Sequence, residues 1–191
     1  MKSFEDLGLS SEITEALAGE GIEIPTPLQE AAIPTVAKGN NIVLNAGPGS
    51  GLLTTWLTGL LEHIEPSENK VQCVVLCATP ETADRLAESA ARLSSVTGHS
   101  LAALGSSWTL PGQANLLFAT PDDLLAALEQ NVVDVSSVQV LVVDQAQSIE
   151  NVSGLQSLER TLGYLPSGTQ RILSSLPITT GVQDLIGRHF K

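Results

Sequence analysis

Aromatic residues are nearly absent from this chain, with three Phe, two Trp and one Tyr making 3% of its 191 residues. A core that has so few rings must be packed mainly from Val, Leu, Ile and Ala. Cations are also scarce, four Lys and five Arg against 21 acids, for a net charge of −12. Nucleic-acid affinity comes largely from a basic face that neutralises phosphates, and nine scattered bases make no such face. The acidic surface suits solubility or high-salt life. No apolar run reaches membrane-spanning length and no N-terminal signal pattern is present, so the expectation is a soluble, cytoplasmic protein with no membrane role. Only two cysteines occur, Cys73 and Cys77, in the apolar run VQCVVLCA. Four apart on a strand they face one side but lie too far apart to bridge, and they read as buried, reduced thiols. His63, His99 and His189 have no metal-ligand spacing.

What is present is a rhythm. Short apolar runs at 42–45, 72–77, 100–104, 115–119, 139–143 and 171–174 read as strands. Most are apolar without alternation, as strands covered on both faces of a parallel sheet are. Helical patterns fall at 10–18, 27–37, 52–64, 81–93, 121–129 and 154–162. Thr79-Pro80 and Thr120-Pro121 each place a capping hydroxyl before a proline at the first helical position. Segments 66–70 and 106–113 read as polar loops. Strands alternating with helices predict an α/β fold, a doubly wound parallel sheet.

The first strand is followed by AGPGSGLLT, Ala46 to Thr54. Gly47, Gly49, Ser50 and Gly51, with the helix start behind them, have the spacing of a phosphate loop, whose backbone N–H groups and helix terminus hold an anion. Leu52 and Leu53 stand where that pattern has Lys, which reaches the outer phosphates, and Ser/Thr, which binds magnesium. Thr54 lies one position late, about 100° around the helix, and is a poor substitute. A glycine-rich turn with no ligand is the alternative reading.

A wider pattern joins this loop. FEDLGLSSEI from Phe4, followed by GIEIPTPLQ from Gly21 to Gln29, resembles the Q motif of DEAD-box RNA helicases. LCATPETAD resembles that family's PTREL segment, Gly105-Ser106 stands at its glycine pair, and ATPDDLL resembles its TPGR segment. VLVVDQAQ resembles the name motif, and LSSLP resembles the SAT segment. The motifs run in family order over nearly the whole chain. The resemblance implies one RecA-like (P-loop NTPase-like) domain over 1–191, opened by a Q-motif-like segment at 1–30. It implies that Gln29 reads adenine and Phe4 stacks on it, although Ile22 replaces a usual aromatic. It places Asp144 at the magnesium-linked aspartate, and Thr79 and Thr120 at weak RNA contacts. It also puts Ala78 and Pro80 for proline and arginine, Asp122 and Asp123 for glycine and arginine, Gln145 for the glutamate that positions water, Gln147 for the final aspartate, and Leu176 for the SAT threonine.

These differences together imply a pseudo-helicase domain with no catalytic residue, no ATP hydrolysis and doubtful RNA binding, working as a scaffold, regulatory or interaction module. Its expected partner is a protein or a second RecA-like domain, which this chain lacks. One alternative is a module that holds an adenine nucleotide weakly without hydrolysing it. Another is a first helicase domain active only with a second domain or partner. No metal ligand set is expected.

Overall fold

The computed structural model describes residues 2–104 and 113–190. Gly105, Ser106 and most of the 106–113 loop therefore lie outside the described residues. After a short 3-10 turn at Glu5–Leu7, helix α1 spans Ser11–Gly19 and α2 spans Pro27–Ala37. Then β1 (Ile42–Leu44), α3 (Leu52–His63), β2 (Cys73–Leu76), α4 (Pro80–Thr97), β3 (Leu101–Ala103), β4 (Leu116–Ala119) and α5 (Pro121–Glu129) follow. The chain continues through β5 (Val140–Val143), α6 (Ala146–Ser153), α7 (Gln156–Leu162), β6 (Gln170–Ser174) and α8 (Thr180–His189).

Among the described residues the strands form one parallel six-stranded sheet in the order β1-β6-β5-β2-β4-β3. Successive strand residues point to opposite faces. Cys73, Val75 and Cys77 thus pack with Val140, Val142, Leu116 and Phe118 under α1 to α4. Val74 and Leu76 pack with Leu117, Leu141 and Val143 under α5 to α8. The sheet is the middle of three layers. Both core clusters are chiefly aliphatic, with Phe4, Trp56 and Phe118 on the first face and Phe190 on the second. Burial pushes both thiols up, Cys77 to about 12, so neither is a thiolate near neutrality.

Threonines set the helix starts. Thr26, Thr79, Thr120 and Thr179 each accept a hydrogen bond from the backbone N–H three residues on. Because the strands are parallel, the turns after β1, β2, β4, β5 and β6 all emerge at one edge. That carboxyl edge is where open α/β sheets place their sites.

The helix expected at 154–162 is corrected. Gly154, at φ 76°, ends α6, and α7 begins at Gln156. Two helices, α6 and α8, went unread in the sequence.

Candidate functional site

The turn after β1 is built to leave donors free. Gly49 and Gly51 take φ values of 82° and 77°, which favour glycine. Ser50 Oγ donates to the Gly47 carbonyl at 2.6 Å, and Thr55 Oγ1 donates to the Gly51 carbonyl at 2.7 Å. Among the described residues nothing accepts from the N–H groups of Gly49, Gly51, Leu52, Leu53 or Thr54. Free donors at the head of a 12-residue helix, α3, favour an anion through both hydrogen bonding and the helix dipole.

Gln29 braces this loop from α2. Its Oε1 accepts from Thr26 N–H at 2.9 Å and its Nε2 donates to the Gly51 carbonyl at 3.3 Å. A Cβ at Gly51 would meet that Nε2 at 2.7 Å and push the amide off the loop, in addition to the strain of a positive φ. Phe4 is 1% exposed within the first core cluster. Its ring is used for packing and presents no open face to a base. The structure therefore brings Gln29 to the loop and leaves Phe4 inside.

The turn after β5 closes against the loop. Gln145 adopts a left-handed φ of 51°. Its N–H donates to Ser174 Oγ at 2.9 Å and its Nε2 to the Ala46 carbonyl at 3.3 Å. Gln147 Nε2 donates to Gln145 Oε1 at 2.7 Å, while Gln147 Oε1 accepts from Ser175 Oγ and from Leu176 N–H. This chain of neutral groups ties the turns after β1, β5 and β6 together, and it carries no charge to activate water. Leu176, half exposed, lies over Gly47, where a Cβ would approach its Cδ2 to 3.1 Å.

A cavity of about 270 Å³ opens beside these turns. The glycine loop forms one side, Leu52, Leu53 and Leu86 make apolar walls, and Asp144 and Arg85 face in. Leu52 is buried and Leu53 half buried, both against the first core cluster. They narrow the site without closing it. Asp144 is 9% exposed and no hydrogen bond to its carboxylate is found among the described residues. Burial pushes it up to about 6, partly offset by the Arg85 guanidinium.

A family profile described as DEAD/DEAH box helicase matches residues 26–184. The chain belongs to this family. The ATP-dependent RNA helicase DHH1 of Kluyveromyces lactis is 27% identical over 100% of this chain and 38% of its own length. The ATP-dependent RNA helicase DeaD of Escherichia coli K12 is 29% identical over 99% of this chain and 31% of its own. A crystal structure of a DEAD box protein from Methanococcus jannaschii superposes with a TM-score of 0.90 at 24% identity, covering 98% of this chain and 53% of that one. S. cerevisiae Dbp5 L327V, solved bound to RNA and ADP BeF3, gives 0.89 at 21% identity, covering 100% and 50%. This chain thus spans about a third of the curated relatives and half of the solved chains. The structural neighbours are RecA-like helicase domains, so the fold is theirs.

In this DEAD-box domain the positions compared with RNA contacts are helix caps. Thr79 Oγ1 accepts from Thr82 N–H at 3.1 Å and Thr120 Oγ1 from Asp123 N–H at 3.1 Å. Register pairs Leu76 with Ala119, which sends both caps to the same edge of the sheet. Around them stand the exposed carboxylates of Glu81, Asp122 and Asp123, with Asp122 accepting from Ser157. Carboxylates here repel a phosphate backbone.

The donor set does not suit magnesium, a cation that demands octahedral oxygen ligands. Asp144 offers oxygens, Gln145 Oε1 is engaged by Gln147, and Leu53 has none. No cluster of three or more His, Cys, Asp or Glu fit for a metal occurs among the described residues. The loop does suit a phosphate. No helix among the described residues is long and apolar enough to cross a membrane.

Sequence reasoning missed Arg85 and the Gln145–Gln147 chain. In the sequence Arg85 is one of nine scattered bases, but it lies in the second turn of a helix that starts at the carboxyl edge. That position was the available signal.

Proposed function

We propose that this DEAD-box domain does not hydrolyse ATP and acts as a scaffold or interaction module for a protein partner with a basic surface. The observation that carries this reading is the Gln145–Gln147 chain. Hydrolysis needs a group that orients and draws a proton from water, and a metal clamp on the phosphates. Both amides are neutral, both are committed to hydrogen bonds, and among the described residues Asp144 is the one carboxylate lining the cavity. The acidic surface, −12 overall, favours a cationic partner over RNA.

The test is phosphate release from ATP with magnesium, with and without single-stranded RNA, in the longest native protein that contains this chain. The expected result is release at the level of buffer. RNA-stimulated release above that level overturns the reading and favours a helicase half completed by a second domain. A second reading, a nucleotide-binding module without hydrolysis, is favoured by the free N–H groups at Gly49, Gly51 and the start of α3. RNA affinity and protein capture in the same protein separate a helicase from an interaction module.

A further inference from the structure

We infer that Arg85 holds the phosphate of a small phosphate-bearing ligand against the glycine loop, reaching in from α4 in place of a cation on the first turn of α3. Three observations meet in one cavity. The loop and α3 present free N–H donors, which need acceptors. Arg85 lines the same cavity. Arg92, Arg160 and Arg188 pair with Glu20, Glu129 and Glu159, and Arg171 donates to the His189 carbonyl. Arg85 makes no ion pair or hydrogen bond among the described residues, although it feels the field of Asp144. A guanidinium is a fork of donors matched to phosphate oxygens.

The third observation is the Asp144 carboxylate, nine-tenths buried and facing the same cavity without a hydrogen-bond donor. Its oxygens reach the cavity and its solvent, and a ligand seated there can donate a hydrogen bond to them. A phosphate that retains a proton, or a ribose hydroxyl, does so. A purely cationic ligand fits less well, because Arg85, the loop donors and the α3 dipole outnumber the one carboxylate. Leu52, Leu53 and Leu86 exclude water from one flank, and charge-assisted bonds strengthen in such surroundings.

Leu52 removes the usual cation from α3, and the site regains one from a different helix. The inference concerns binding alone, so it stands apart from whether ATP is hydrolysed. Its test is calorimetric titration of the native protein with ADP and with adenosine, in wild type, Arg85→Gln and Arg92→Gln. Both arginines are exposed, both lie on α4, and both variants change net charge equally. Wild type should bind ADP at least ~10-fold more tightly than adenosine, the scale of a charged hydrogen bond. Arg85→Gln should erase most of that preference and Arg92→Gln should keep it. No ADP binding by wild type, no preference for ADP, or equal behaviour of the two variants overturns the inference. None of these results bears on the hydrolysis assay, which reads phosphate release.

Discussion

Asp144 stands in surroundings that disfavour its charge. Burial raises its carboxyl from 3.8 to about 6. The folded state therefore binds a proton that the unfolded state has lost between those values. Its contribution is most favourable below pH 4 and is lost as pH rises through 6, leaving an ionised, desolvated carboxylate near neutrality. Asp144→Asn should raise stability at pH 7 by up to ~3 kcal/mol and do little at pH 4. Urea midpoints of both proteins at the two pH values check this, and an unchanged gap sinks it. Leu52, Leu53 and Gln145 hold the other side of the matter. If the cavity is open as described, Leu52→Lys, Leu53→Thr and Gln145→Glu together should tighten ATP binding with magnesium. Unchanged affinity by calorimetry would mean that the Leu walls have reshaped the site beyond side-chain repair. The residue types at these positions were legible in the sequence. That Arg85 faces Asp144 was not, because the two are 59 positions apart and meet only through the β2–β5 pairing.

Between elements, α2 and α3 pack closely. A Cβ at Gly59 would lie 2.6 Å from Val36 Cγ1 and 3.2 Å from the Ala37 backbone nitrogen. Alanine favours a helix over glycine by ~1 kcal/mol. Overpacking costs ~1–3 kcal/mol, and the backbone contact leaves little room to yield. Gly59→Ala should therefore lower thermal stability, and a rise in Tm would show that the helices can part. The capping box gives a second case. Thr26 Oγ1 accepts from Gln29 N–H at 3.2 Å while Gln29 reaches back to Thr26 N–H. Thr26→Ala should cost ~1 kcal/mol and loosen Gln29 from Gly51, seen as faster exchange of the amides flanking the loop. Caps of this kind were readable from Thr-Pro pairs. Helix α6 was not, because it starts at left-handed Gln145 with no side-chain cap. Helix α8 carries Gly181 and Gly187, which weaken its pattern. A Cβ at Gly181 would displace the Glu150 carboxylate, which accepts from Thr179 Oγ1.

At the scale of the whole molecule, charge and topology act together. Parallel strands send the glycine loop, the Gln145–Gln147 chain and the caps at Thr79 and Thr120 to one edge, and acids crowd the caps. Single-stranded RNA should bind no tighter than non-specific levels of roughly 10⁻⁴ M near physiological salt. Fluorescence anisotropy with labelled RNA measures this, and submicromolar affinity would contradict it. The sequence by itself determined the layered α/β plan, since buried parallel strands need unbroken apolar runs and helices need their own period. It also determined the glycine loop and which charged groups are missing from it, because those are matters of residue type at fixed spacing. Only the tertiary structure decided that Gln29 is tied to the loop, that Phe4 is packed away, that the two glutamines form one chain, and that Arg85 faces the cavity. Each depends on which elements the strand order and helix packing bring together, and local spacing holds no record of that.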